Sequence, residues 1–121
     1  MGLIRQLLRT TLTWTLPTER WLVHGPRSAR PRPRLAFTFD DGPDPVQTPA
    51  VLDTLARWRM VGTFFVIGEK AVAYPDLIRR IVDEGHALGN HTWTHGEPRR
   101  TSTAEFLREV RETDDWLEEL T

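Results

Sequence analysis

The chain of 121 residues contains no cysteine and shows no excess of charge of either sign. The absence of cysteine excludes disulfide bonds, thiolate zinc sites and a cysteine nucleophile. The chain has 16 basic and 17 acidic residues, so its composition argues against a nucleic-acid-binding or membrane-binding surface over the whole protein. The length allows one domain with a real hydrophobic core.

The N-terminal segment, residues 1–34, has no long hydrophobic run. Arg5 and Arg9 interrupt its apolar residues and no small-residue cleavage site follows, so it predicts neither a signal peptide nor a transmembrane span. Apolar residues at helical spacing predict a short amphipathic helix packed on the domain, with a membrane-surface anchor as the alternative. Residues 24–34 predict a stiff, solvated Pro/Arg-rich linker, since no aromatic residues are interleaved to bind nucleic acid.

Three short segments after the linker have the pattern of β-strands. Leu35, Phe37 and Phe39 alternate with smaller or polar residues, which predicts a first strand. Two further strands are predicted at residues 62–68 and 86–90, the first of them bounded by glycines.

Helical patterns follow each predicted strand. We expect Thr48 to be the N-cap of the first helix, and Pro75 to open the second. A capping box from Ser102 to Glu105 predicts the start of the third. The apolar residues expected on the inner face of this third helix are Phe106, Leu107, Val110, Leu117 and Leu120.

The order of strands and helices predicts an α/β fold with about three parallel strands and right-handed crossovers. There are no internal repeats. Three parallel strands form an incomplete sheet with an open edge, either an α/β layer or a piece of a barrel. We therefore divide the chain into an N-terminal helix and linker, residues 1–34, and a partial domain, residues 35–121.

Two clusters of polar residues follow predicted strands. Asp40 and Asp41 end the first strand, and His91 and His95 follow the third. Parallel α/β folds place ligands at the carboxyl ends of their strands, so these residues are expected on one rim. In an extended strand the two histidines would stand about 13 Å apart, at about 3.3 Å per residue. Binding one metal ion therefore requires the segment between them to curl.

Two histidines and one aspartate could form a three-ligand site for a divalent metal. A cation would offset the repulsion between the adjacent carboxylates, one of which would bind it while the other accepts a proton from the attacking water. The pattern leaves open which does which, because Asp40 continues the strand and Asp41 belongs to the turn at Gly42 and Pro43. The structural alternatives are a plain turn and two hydrogen-bonded histidines.

Three motifs resemble those of a known family. They are TFDDGP at residues 38–43, TFFV at 63–66 and GNHTWTH at 89–95. In this order they resemble the polysaccharide deacetylase family, the NodB-homology domain of carbohydrate esterase family 4. The resemblance extends from residue 33 to the C-terminus. It implies a distorted (β/α) barrel with more strands than this chain contains.

The resemblance also implies roles for individual residues. It makes Asp40 the catalytic base. It assigns the metal, most commonly zinc, to Asp41, His91 and His95. Thr92 and Thr94 would shape the loop and fix the orientation of the histidines. Trp93 would either form part of a sugar-facing wall or pack against the protein.

The function implied is metal-dependent hydrolysis of N- or O-acetyl groups on a polysaccharide or oligosaccharide, which includes cleavage of non-peptide carbon–nitrogen bonds. The partner would be an acetylated carbohydrate, with no nucleic acid. The later Arg-Pro-Pro-Tyr-like and leucine-histidine motifs of the resembled family are absent, so we expect the N-terminal part of such a domain. Activity of this part alone stays open, and the alternative is an inactive metal- or sugar-binding remnant.

The predicted localisation is left open as well. The resembled family is often exported or associated with the cell envelope. This N-terminus carries no convincing export signal, which keeps the cytoplasm as the alternative.

Overall fold

The computed structural model describes residues 35–121, so the predicted N-terminal helix and Pro/Arg-rich linker lie outside the described residues. The described elements are β1 Thr38–Gly42, α1 Gln47–Trp58, β2 Thr63–Val66, α2 Gly68–Ala73, α3 Pro75–Asp83, β3 Ala87–Asn90 and α4 Thr103–Leu120. Their order confirms the predicted alternation of strands and helices. Within this part of the chain, no helix is long and apolar enough to cross a membrane.

The three strands form one parallel sheet in the order β1-β2-β3. The register between β1 and β2 contains an irregularity, because Phe39 pairs with Phe64 while Gly42 pairs with Val66. The outer strand therefore carries one extra residue, a β-bulge at its carboxyl end. Since all three strands run in the same direction, their carboxyl ends meet at one edge of the sheet, as predicted.

The hydrophobic core lies between the central strand and the helices that cover it. Phe64 and Val66 of β2 are buried, and the ring of Phe64 stacks on Phe39 with centroids 4.8 Å apart. The buried aliphatic side chains that surround them are Leu52, Leu55, Ala71, Ile78, Ile81 and Leu117. Burial of each large side chain in this group stabilises the fold by about 1.5–3 kcal/mol relative to leaving it exposed.

Two element starts differ from the sequence prediction by more than one residue. The first strand begins at Thr38, and Leu35 lies outside it with an exposed side chain. Helix α1 begins at Gln47, so Thr48 is not its N-cap. Instead, the Asp44 carboxylate accepts the backbone N–H groups of Val46 and Gln47 at 2.8 and 2.7 Å, which lowers the pKa of Asp44 below its ordinary range.

The long helix α4 confirms its predicted start and only part of its predicted inner face, since Leu117 is buried in the core and Leu120 packs against it. The Ser102 hydroxyl accepts the N–H of Glu105 at 3.2 Å, as a capping box requires. However, Phe106 and Leu107 are exposed. The buried positions are Glu109, Thr113 and Leu117, which follow one another at intervals of four residues. The short helix α2 was not predicted, since six residues are too few to show a helical period.

Candidate metal centre

The side chain of Asp41 is directed by the bulge at the end of β1. In a regular strand Asp40 and Asp41 would point to opposite faces of the sheet. The bulge interrupts that alternation, and Asp41 adopts a left-handed backbone conformation with φ of 65°. Aspartate is one of the few residues with a Cβ that tolerates this conformation. Asp41 lies within β1, whereas the sequence pattern placed it in the turn at Gly42 and Pro43.

The loop after β3 curls and brings its two histidines together. Its first residue, His91, still donates its N–H to Val66 O of the neighbouring strand at 3.0 Å. Thr92 and His95 then adopt left-handed conformations with φ of 63° and 58°. As a result, the two imidazole rings stack with centroids 4.8 Å apart and planes 29° from parallel. This is far closer than the separation of about 13 Å expected of an extended chain.

The two histidines and Asp41 converge on one point at the rim of the sheet. His91 Nε2 lies 3.0 Å from Asp41 Oδ1, and His95 Nε2 lies 3.3 Å from the same oxygen. The ligand atoms of the three residues all lie within 4.8 Å of one another. Tetrahedral zinc with bonds of about 2.1 Å needs ligand atoms about 3.4 Å apart, so small side-chain rotations fit this set to a cation.

Asp40 lies beside this cluster in sequence, at the same end of β1, with an exposed side chain. It does not belong to the group of converging ligand atoms. A groove of about 620 Å³ adjoins the two histidines of the cluster. Both histidines line it, together with Glu97 and the exposed ring of Phe106.

Helix α2 supports the histidine loop from the side of β2. Gly68 donates its N–H to Thr92 O at 3.0 Å, and Glu69 donates to Trp93 O at 3.1 Å. The half-buried Trp93 ring packs directly on Gly68. A Cβ added at Gly68 would lie 2.9 Å from the Thr113 hydroxyl and would overlap the indole ring. A side chain at this position would therefore push the loop away from β2.

Helix α4 supports the same loop through a buried carboxylate that the sequence prediction missed. Glu109 is only 4% exposed. Its Oε1 accepts the Thr94 hydroxyl at 2.8 Å, and its Oε2 accepts the Thr94 N–H at 3.2 Å. Burial raises the pKa of Glu109, but hydrogen bonds from Thr94 and the Trp93 backbone, together with the positive charge of Arg108, outweigh burial and hold that pKa below its ordinary range. Glu109 thus anchors the loop just before His95.

Asn90, at the end of β3, makes the third connection to the loop. Its side-chain oxygen accepts the Thr92 N–H at 2.8 Å. Its amide group donates to Val110 O and to Asp114 Oδ1, both at 2.7 Å. Thr92 in turn accepts the His95 N–H on its hydroxyl at 3.2 Å. These bonds tie the two left-handed turns of the loop to α4.

A signal for Glu109 was present in the sequence but was not used. An acidic residue at the same helical spacing as Thr113 and Leu117 is a candidate for burial. The more conspicuous apolar pattern at Phe106 and Leu107 pointed to another face of the helix. For Asn90 the signal was its place next to the histidine motif, which is typical of a residue that caps a turn.

Comparison with known proteins places this geometry in a family. The polysaccharide deacetylase family model matches residues 27–121. A chitooligosaccharide deacetylase of Sinorhizobium fredii is 48% identical over 89 residues, which are 74% of this chain and 41% of that protein. The peptidoglycan-N-acetylglucosamine deacetylase PgdA of Listeria monocytogenes is 42% identical over 85 residues, 70% of this chain and 18% of the relative. The chain thus spans less than half the length of these relatives.

Solved structures show the same relation. Peptidoglycan deacetylase PdaC from Bacillus subtilis superposes with a TM-score of 0.69 and 40% identity, over 71% of this chain and 43% of that one. A family 4 acetyl xylan esterase from Clostridium thermocellum, in complex with a cobalt ion, gives 0.65 and 35%, over 70% of this chain and 42% of that one. The described residues therefore form an incomplete α/β fold of the kind predicted. On the family match and these similarities, the chain belongs to the polysaccharide deacetylase family.

Proposed function

We propose that this chain carries the metal site and the base of a hydrolase that removes N- or O-acetyl groups from a polysaccharide or oligosaccharide. The observation that carries the proposal is the convergence of Asp41, His91 and His95 at the carboxyl edge of the sheet. The names of the relatives support acetylated amino sugars as the substrate class, since they specify chitooligosaccharide and peptidoglycan-N-acetylglucosamine deacetylases.

The metal proposed is divalent, with zinc favoured by the donor set. Two imidazole nitrogens and one carboxylate oxygen make the three-ligand arrangement typical of catalytic zinc, which keeps a position open for water or substrate. The cobalt ion in the acetyl xylan esterase structure is consistent with such a donor set. When bound, such a cation would polarise the acetyl carbonyl and make water a stronger nucleophile at neutral pH.

Residues of the chain would hold the cation and accept the proton from water. Asp41, His91 and His95 would hold the cation. Asp40 would accept a proton on its carboxylate from the attacking water, since it lies next to the metal ligand and outside the ligand group. Because the loop is bonded to α2 and α4, the histidines are held in place before the metal binds, which limits the reorganisation that binding requires.

The groove beside the histidines is the proposed place for the sugar. Its volume of about 620 Å³ lies within the usual range for ligand sites. Phe106, which is 43% exposed, offers an aromatic surface to an apolar sugar face, while Glu97 offers a hydrogen-bond acceptor. Trp93 packs on Gly68, so we assign it to support of the loop rather than to the sugar-facing wall.

Zinc titration of the purified chain tests the site directly. The wild-type chain should bind one zinc ion, and Asp41→Asn and His91→Ala should each lower the affinity at least about tenfold, since each removes one ligand. The matched control is Asp83→Asn, which also removes one carboxylate charge. Asp83 is exposed at the end of α3, just before β3 begins, and so lies at the opposite edge of the sheet. This control should bind zinc like the wild type.

Acetyl release is measured next, with zinc-loaded chain and N-acetylated chitooligosaccharides, by mass spectrometry of the sugar. Deacetylation that depends on Asp40 would support the hydrolase. Stoichiometric zinc binding without acetyl release by this chain would instead support the alternative, a metal- or sugar-binding remnant of the fold. A folded wild-type chain that binds no zinc would refute the metal-dependent hydrolase and the metal-binding remnant, and would leave a sugar-binding remnant of the fold.

A further inference from the structure

Lys70 makes a contact with the proposed metal site that the mechanism above does not use. It is the only lysine among the 16 basic Lys and Arg residues of the chain. It lies in α2, the short helix that follows β2, and its ammonium Nζ donates to the backbone carbonyl of Asp41 at 2.8 Å. The helix after the middle strand thus contributes a cation to the rim, where β1 contributes Asp41 and the loop after β3 contributes the histidines.

The carbonyl that Lys70 contacts belongs to the most unusual part of β1. Asp41 combines the bulge with a φ of 65°. A residue with a Cβ does not favour this conformation, and it persists where surrounding contacts hold it. The next peptide is already fixed, since Gly42 O accepts the N–H of Ile67 at 2.9 Å. Lys70 supplies the corresponding contact one residue earlier.

The orientation of this carbonyl is coupled to the direction of the Asp41 carboxylate. Rotation about the N–Cα bond, which sets φ, moves the carbonyl carbon and the Cβ together, so a contact that holds the carbonyl at a φ of 65° also restrains the direction of the side chain. A charged donor makes a stronger hydrogen bond than a neutral one. The contact is thus suited to holding the carboxylate oxygen between the two imidazoles, where its distances to the Nε2 atoms are 3.0 and 3.3 Å.

We propose that Lys70 is a positioning residue, which holds the Asp41 backbone in its left-handed conformation and so presets the carboxylate for the metal. This proposal rests on the proposed function, because it assigns Asp41 as a metal ligand. Partners that orient a metal ligand typically change metal affinity by about 10–100-fold when removed. Since Lys70 is exposed and makes one surface contact, its removal should affect the overall fold much less.

The test compares zinc affinity in three variants of the full chain. Lys70→Met removes the ammonium group and keeps a similar stem. Lys70→Arg keeps a charged donor. The control is Arg79→Met, which removes one positive charge from an exposed side chain whose partner is Asp76 on the same helix. Zinc dissociation constants, the visible spectrum of bound cobalt, and the urea midpoint of the metal-free chain are measured for each.

We expect Lys70→Met to weaken zinc binding about tenfold or more and to alter the cobalt spectrum, with a urea midpoint close to that of the wild type. Lys70→Arg should recover most of the affinity, and Arg79→Met should lose almost none. The proposal is overturned if Lys70→Met binds zinc as tightly as Arg79→Met does. It is also overturned if Lys70→Met binds more tightly than the wild type, which would mean that repulsion between the two cations dominates.

Two further outcomes separate this proposal from the function on which it rests. Zinc binding by the wild type with no effect at Lys70 refutes the positioning role alone. No zinc binding by the folded wild type refutes the metal site and the positioning role together. A fall of the urea midpoint in Lys70→Met that Lys70→Arg does not reverse would assign a general structural role and overturn the proposal.

Discussion

Replacing Glu109 by glutamine removes a negative charge that is buried beneath the histidine loop. In the folded chain both carboxylate oxygens accept hydrogen bonds from Thr94, one from the hydroxyl and one from the backbone N–H. Glutamine retains one acceptor oxygen and turns an amide group towards the other donor. Loss of one bond to a charged acceptor, and weakening of the second, should lower the free energy of unfolding by about 2–3 kcal/mol.

Urea unfolding at neutral pH, followed by tryptophan fluorescence, measures this loss. The control is Glu112→Gln on the same helix, where the exposed carboxylate pairs with Arg108 at 3.0 Å one turn away. That surface pair should contribute no more than about 0.5 kcal/mol. If Glu109→Gln costs no more than Glu112→Gln, the carboxylate does not hold the loop and the reasoning is refuted. Zinc affinity should also fall in Glu109→Gln, because His95 follows Thr94 directly.

The pH dependence of the unfolding free energy, compared between wild type and Glu109→Gln, gives an independent check. The pKa of Glu109 is lower in the folded chain than its ordinary value, because the effect of burial is outweighed by hydrogen bonds from Thr94 and Trp93 together with the charge of Arg108. Its contribution to stability is therefore fully present above the unfolded-state pKa and is lost as the pH falls through the folded-state pKa. The stability difference between wild type and Glu109→Gln should be largest near neutrality and shrink in acid. A difference that is constant down to strong acid would contradict the assignment.

Two further predictions concern the loop and its metal. Gly68→Ala should lower the free energy of unfolding by about 1–3 kcal/mol, because the added methyl overlaps Trp93. It should also lower the zinc affinity. An unchanged urea midpoint would contradict the close packing. Zinc affinity of the wild type should fall as the pH is lowered, because protonated His91 and His95 cannot ligate a metal. Isothermal titration at several pH values measures this dependence. A flat profile would mean that the histidines are not ligands.

Local features of the fold were predictable because they depend on neighbouring residues. The Ser102 cap and the helix start at Pro75 appear where their residue types indicate. Gly85, which follows the helix before β3, has a φ of 82°, a conformation that glycine adopts without strain. The wrong predictions share a different cause. Whether Phe106 is buried depends on which elements pack against α4, and periodicity alone carries no information about them.

The candidate site likewise has features that the sequence determined and features that only the tertiary structure decided. The sequence by itself determined which chemical groups are available, namely adjacent aspartates and paired histidines behind two strands, and their motifs indicated the family that the comparisons confirm. The residue pattern left open which aspartate joins the histidines, and only the family resemblance named Asp41. The tertiary structure brings Asp41 to them at a bulge, and it alone shows that Lys70 and Glu109 contact the backbone around them. Such contacts join residues far apart in the chain, so they are set by strand register and helix packing rather than by local sequence.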